Sequence, residues 1–410
     1  MTTRAIRVLY FTAVPIASPS NGGNMCCRNH ILRLSQDTQI ELYVAAVVMP
    51  EHFEDTKAFL EEVRVQHIVI PRRIDNFYQE EATALGAVKF ALKAMTHFHW
   101  ELAALNQQHI DDAVTNYATT RCKADFVIVD YLYSALFCKS LLGQGRKTAL
   151  ITLGREEEYY RELLRHGLVK HDRLTGTISA WRVARFEKDT YESCDLVITI
   201  GENDLPPYLP ADRKRCIIPY LDERARWSFT GSNSVFFVGN LGHYPNRLAI
   251  EFIATRLAPM VAQRRQDIRI KIVGASLADV PESWRHPQID YLGVADATTV
   301  ETLFRSSDAL ICPIENNFGM KFKIAEAVAH GTPIVANPET LQCIPHIPGL
   351  PSFDLSDPRG AADIVCALVG NAAELKRLSE LIVDKARIFA CSQDNVWSKT
   401  LRDVLEPAAS

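Results

Sequence analysis

Short runs of β-branched and aromatic residues alternate along this chain with polar, helix-length segments. In the first half the runs are Ile6 to Phe11, Ile40 to Val48, His67 to Ile70, Asp125 to Asp130, Ala149 to Thr152, Asp195 to Ile200 and Cys216 to Pro219. They are nearly continuous in apolar character, as parallel strands buried on both faces require, with the intervening helices as crossovers. The mostly polar stretch Asp222 to Ser234 interrupts the pattern. It then restarts with Val235 to Val238, Ile268 to Val273, Asp290 to Leu292, Ala309 to Cys312 and Pro333 to Ala336. The expected fold class is therefore α/β, with two Rossmann-like doubly wound domains, the first over 1–220 and the second over 221–390. Ligands of such sheets bind beyond the carboxyl ends of the strands. Chemistry is thus expected in the loops after Phe11, Asp130, Thr152, Val238 and Cys312.

Composition narrows the function classes. A chain of 410 residues exceeds what one core usually supports, which agrees with two domains. The formal net charge of −4 comes without a basic block or an aromatic-interleaved Lys/Arg stripe, so nucleic acid is not an expected partner. The ten cysteines are scattered without a C-x-x-C pair, which disfavours a disulfide framework or a zinc site. The first apolar run reads as a strand rather than a signal peptide, and no run has the length of a membrane span, so a cytoplasmic protein is expected. Ala82 to Asn106 has helical periodicity, with Phe90, Ala94, Phe98 and Trp100 beside Lys89, Lys93, His97 and His99. It reads as an amphipathic helix packed on its own domain; the competing reading is peripheral contact with the inner face of a membrane.

The stretch Pro313 to Asn337, PIENNFGMKFKIAEAVAHGTPIVAN, lays out an anion site in sequence order. A strand feeds a loop hinged at Gly319, Lys321 and Lys323 follow, and a helix then carries Glu326. The glycine permits positive φ, and free N–H groups at a helix start attract phosphate oxygens. The lysines add charge, and a carboxylate one turn further on suits a pair of sugar hydroxyls. The plainer alternative is a solvated loop with Glu326 supporting the helix dipole.

These segments resemble the retaining GT-B glycosyltransferases of family 4, which use nucleotide sugars. GMKFKIAEAVAHGTPIVAN is similar to the family's donor signature, and FVGNLGHYPN to the first strand and loop of its C-terminal domain. SPSNGGN, DFVIVDYLYSA and CDLVITIGENDLPPY match the N-terminal half in order, and CSQDNVWSKTLRDVLE resembles the helix that returns to the N-terminal domain, here 391–410. The resemblance implies a GT-B fold whose domains face across a cleft, the first binding the acceptor and the second the donor. It implies that Glu326 binds the nucleotide ribose and that Lys323, with Lys321, neutralises the diphosphate. Gly239, His243 and Asn246 would lie against phosphates or nucleoside, and Gly22 and Gly23 against the diphosphate or transferred sugar. The donor is a co-substrate, so no cofactor is implied. The acceptor would be a glycan, a lipid-linked or a small-molecule substrate.

Two positions depart from the family pattern. Phe318 stands where a Glu is usual eight residues before the ribose carboxylate, which leaves Glu315 as the nearest carboxylate for donor sugar hydroxyls. Gly154 and Arg155 stand where relatives carry a His-Asn pair, while Glu157 matches the following carboxylate. Arg155 either contacts an anionic group of a substrate or pairs with Glu156 to Glu158. No Asp-x-Asp pair occurs, so a Mg²⁺ site is not implied. A nucleotide-sugar epimerase or hydrolase on the same fold, and a nonenzymatic sugar-nucleotide-binding protein, are the competing readings.

Overall fold

The computed structural model describes residues 4–17, 22–72, 108–142, 145–167, 173–315 and 319–406. The expected helix at 82–106, the start of the SPSNGGN loop and Phe318 lie outside the described residues. The chain divides into two compact units, Met1–Pro219 with Asp394–Ser410, and Tyr220–Gln393.

The first unit is built on a seven-stranded sheet in the order β3-β2-β1-β4-β5-β6-β7, parallel throughout. Its strands are β1 (Ile6–Thr12), β2 (Ile40–Val48), β3 (Gln66–Pro71), β4 (Phe126–Asp130), β5 (Lys147–Thr152), β6 (Leu196–Thr199) and β7 (Lys214–Cys216). In the central strands every residue of Phe126–Asp130 and Leu196–Thr199 is buried, which is why they read as unbroken apolar runs. The last strand differs from expectation. Pairing runs from Val197 opposite Lys214 to Thr199 opposite Cys216, so Lys214 and Arg215 are in the sheet and Pro219 is beyond it. An edge strand tolerates charged side chains, and apolarity alone points to the wrong three residues there.

Helices α1 (Gly22–Gln36), α2 (Phe53–Glu62), α3 (Gln108–Asn116), α4 (Glu156–Arg165) and α5 (Arg173–Ser193) belong to this unit. The C-terminal segment returns to it: in α11 (Val396–Leu405), the Ser398 backbone N–H donates to Asp37 Oδ2 at 3.0 Å. Trp397 is buried edge-on to His30 at 5.6 Å.

The second unit has a five-stranded parallel sheet in the order β10-β9-β8-β11-β12. The strands are β8 (Ser234–Val238), β9 (Arg269–Val273), β10 (Ile289–Tyr291), β11 (Ala309–Cys312) and β12 (Ile334–Ala336). Helices α6 (Tyr244–Phe252), α7 (Ala297–Ser306), α8 (Phe322–His330), α9 (Pro358–Leu368) and α10 (Ala372–Ser392) cover it. Phe236, Phe237, Ile272, Ile311 and Val335 form the centre of its core. Strand order reverses between β8 and β11, the switch point where a ligand crevice opens in doubly wound sheets. No helix among the described residues is long and apolar enough to cross a membrane.

Candidate functional site

In the second unit the loop after β8 and the start of α8 meet at that switch point. Lys323 Nζ donates to Asn246 Oδ1 at 2.7 Å, and Asn246 Nδ2 donates in turn to the Asn240 carbonyl at 3.2 Å. The Asn246 side chain lies directly on Gly239, where a Cβ would come within 2.6 Å of it. Gly274, at the end of β9, sits at φ +95°, and a Cβ there would stand 2.3 Å from the Gly239 carbonyl oxygen. The two glycines let the β8 and β9 loops close on each other and hold Asn246 under the lysine.

Lys323 also lies 4.1 Å from the centre of the Phe237 ring. Burial, with Lys321 nearby, lowers its pKa to about 8. Lys321 is the N-cap residue of α8 and is buried, with Nζ donating to the Gly319 carbonyl at 3.5 Å. Gly319 adopts φ +60°, so the expected hinge is present. His243, exposed at the surface, precedes α6 as its N-cap residue, and partial desolvation together with the positive charges of Lys323 and Lys321 lowers its pKa, which favours the neutral imidazole.

Glu326 lies one helical turn beyond Lys323, with 16% of its side chain exposed. Burial raises its pKa, while Arg224 and Lys323 oppose the rise. Arg224 Nη1 lies 3.5 Å from Glu326 Oε1, and the Arg224 backbone N–H donates to the Ala329 carbonyl at 2.9 Å. The structure thus gathers Gly239, His243, Asn246, Lys321, Lys323 and Glu326 in one place and adds Arg224 and Phe237. Glu315 is exposed just beyond the end of β11. The carbonyl of its neighbour Ile314 accepts hydrogen bonds from Asn337 Nδ2 and Thr340 Oγ1, both at 2.9 Å, which fixes the start of that loop.

In the first unit, Gly22 and Gly23 open α1. Arg155 is the N-cap residue of α4 and forms an ion pair with Glu158. The Glu157 N–H donates to Glu187 Oε2 at 2.9 Å, and its carboxylate accepts from Arg161 Nε at 2.7 Å. Asp130, at the end of a strand whose following loop is expected to carry chemistry, is fully buried. Its Oδ2 lies 3.0 Å from His30 Nδ1, and burial raises the acid's pKa and lowers the imidazole's to about 3, so the pair is held uncharged. Directly after it, Tyr131 adopts φ +75°, a strained conformation for a tyrosine. Its hydroxyl and that of Tyr133 hydrogen-bond to Glu156, whose pKa burial and the like charge of Glu187 raise to about 7.

Residues 232–377 match the family model described as Glycosyl transferases group 1. Three similar solved structures are TarM of S. aureus, the sucrose-phosphate synthase of Thermosynechococcus elongatus, and Anabaena Alr3699/HepE in complex with UDP and glucose. TarM is 9% identical with a TM-score of 0.64, covering 98% of this chain and 100% of its own. The synthase is 15% identical with a TM-score of 0.61 over 96% and 99%. HepE is 12% identical with a TM-score of 0.57 over 97% and 99%. No curated protein sequence matches the chain significantly. The fold is that of the GT-B glycosyltransferases, and the second unit carries a group 1 glycosyl transferase domain.

Proposed function

We propose that this protein is a retaining, metal-independent glycosyltransferase of the family 4 type, which moves a sugar from a nucleotide diphosphate donor to an acceptor bound by the first unit. The carrying observation is the Lys323–Asn246 pair at the switch point of the second sheet, with Glu326 one turn away on the same helix. In this reading Lys323, Lys321 and the first N–H groups of α8 take the diphosphate, and Glu326 takes the ribose hydroxyls. His243 contributes a neutral imidazole hydrogen bond rather than charge. The class of donor is supported by two similar structures, HepE in complex with UDP and glucose and TarM in complex with UDP.

The reaction needs charge stabilisation where the leaving diphosphate gains it. A preorganised lysine and helix N–H groups supply that without reorganisation. The acceptor hydroxyl oxygen bonds to the anomeric carbon as the bond from that carbon to the phosphate oxygen breaks. The hydroxyl proton passes to the departing phosphate on the same face, which accounts for retention without a paired nucleophile and acid. Orienting both substrates and excluding water provide the remaining acceleration.

A thermal-shift screen of nucleotide diphosphate sugars tests the donor assignment, since a ligand at about 100 times its Kd stabilises by about 2.7 kcal/mol. A donor that shifts melting is then incubated alone and with acceptors. Transfer with retained anomeric configuration is expected. Turnover of the donor without an acceptor would instead establish the epimerase or hydrolase reading.

A further inference from the structure

A cavity of about 500 Å³ opens in the first unit, beyond the carboxyl ends of β5 and β6. Its size falls within the roughly 300–1,000 Å³ range of small-molecule sites. One wall is a single face of α5: Trp181, Ala184, Arg185 and Lys188 follow at helical spacing. The facing wall comes from the loop after β6, where Pro206 and Pro207 stiffen the backbone and present Tyr208. Trp181 and Tyr208 are 58% and 49% exposed. Two large, solvent-facing rings beside a cavity are unusual for residues that ordinarily pack inside or find a partner.

The charges lining the cavity exclude most classes of occupant. Arg185 lies 3.5 Å from Asp189, with its guanidinium 5.7 Å from the Trp181 ring centre. Arg155 pairs with Glu158, Lys188 with Glu192 at 3.3 Å, and Glu157 with Arg161. With each cation matched by a carboxylate, the wall offers no net positive field for a phosphate or uronate. What the lining does offer is a ring face, several acceptors and several donors in alternation. Tyr208 remains a donor, because burial and Glu187, Glu192 and Glu157 raise its pKa.

We infer that this cavity binds an uncharged glycan segment of the acceptor, the C–H face of one pyranose stacked on Trp181 and the hydroxyls along the segment shared between the Arg155, Glu157, Arg185 and Asp189 side chains and the Tyr208 hydroxyl. The inference rests on the glycosyltransferase reading and narrows its acceptor to a neutral glycan. It also gives Arg155 a role besides its pairing with Glu158: one side of the guanidinium stays available to a hydroxyl, as its 35% side-chain exposure allows.

The test uses the full-length protein with saturation-transfer NMR on methyl α- and β-hexopyranosides and their neutral disaccharides and trisaccharides, alongside hexuronates and hexose phosphates. Neutral saccharides should receive saturation on their ring C–H protons. Trp181→Ala should weaken them at least tenfold and Trp181→Phe much less. Asp189→Asn should also weaken binding, and both positions are exposed enough to leave folding intact. Absence of neutral-saccharide binding, preference for the anionic sugars, or unchanged binding in Trp181→Ala would overturn the inference. A nucleotide thermal shift that persists in all variants would then leave the donor assignment standing. Its absence in the wild-type protein would overturn the donor assignment instead.

Discussion

Lys323 and Asn246 stand 77 residues apart in the chain and are joined by a 2.7 Å hydrogen bond across the switch point of the second sheet. Asn246 is itself fixed by Gly239 and the Asn240 carbonyl, so the lysine is held in one direction before any ligand arrives. Lys323→Ala should lower turnover by about 10²-fold or more, the scale of losing one preorganised charge contact. Asn246→Ala should lower it less, and the double variant should lose little more than Lys323→Ala alone, because the two side chains act as a unit. Additive losses in steady-state kinetics would show that Asn246 does not act through the lysine. Glu326→Gln should weaken donor binding by about tenfold, the loss of a charged hydrogen bond, with melting temperature preserved.

The lysine should make donor binding depend on pH. Its pKa near 8 means that it loses its charge as pH rises through that value. A bound diphosphate favours the charged form and raises the pKa, so binding at pH 8 takes up a proton. Affinity should fall between about pH 8 and 10, and calorimetry in buffers of different ionisation enthalpy should register proton uptake. A flat profile in the wild-type protein, or an unchanged slope in Lys323→Ala, would remove the lysine from contact with the phosphates.

Transfer should survive a chelator. In the proposed chemistry the lysines and helix N–H groups would take the role that a cation plays at an Asp-x-Asp pair, and the sequence has no such pair. Loss of activity in excess EDTA, restored by Mg²⁺ or Mn²⁺, would refute this chemistry.

Glu156 should make the first unit less stable as pH rises. Its pKa is about 7 in the folded protein against an ordinary 4.5, so the folded state holds the proton more tightly than the unfolded chain. The resulting stabilisation is complete below about pH 4.5 and is lost as pH climbs through 7, by up to about 3 kcal/mol. Glu187, also raised by burial, adds in the same direction. Glu156→Gln keeps a partner for Tyr131 and Tyr133 and should flatten this part of the dependence. Urea midpoints at pH 5 and 8 measure it, and parallel changes in wild type and variant would count against the assignment.

Gly274→Ala should destabilise the second unit by several kcal/mol. The new methyl would meet the Gly239 backbone oxygen, which has no side-chain freedom to yield, at a φ of +95°. A melting temperature within a degree of wild type would show that the β8 and β9 loops can part.

Much of this was legible in the sequence for a physical reason. Parallel strands covered on both faces have no solvent side, so Val127 to Val129 and Leu310 to Cys312 announce themselves as apolar runs. β7 did not, because a sheet edge accepts Lys214 and Arg215. Glycine, lysine and glutamate at Gly319, Lys323 and Glu326 were visible as an ordered motif on one turn and helix. Arg224 was not, since it lies in an irregular polar stretch and reaches Glu326 only through tertiary folding. The same holds for the Trp181 cavity, whose walls come from a helix and a loop that share no local pattern. Asp130 misled in the other direction: the end of a strand is where ligands are usually met, but His30 and the surrounding core enclose it.

The return of α11 to the first unit also sets an order of events during synthesis. Tyr220–Gln393 is one uninterrupted stretch of chain, whereas the first unit waits for Trp397 to pack beside His30 and for Ser398 to meet Asp37. On the ribosome, the second unit therefore has all of its residues before the first does. The part of the protein made earliest is the last to have every residue of its core available.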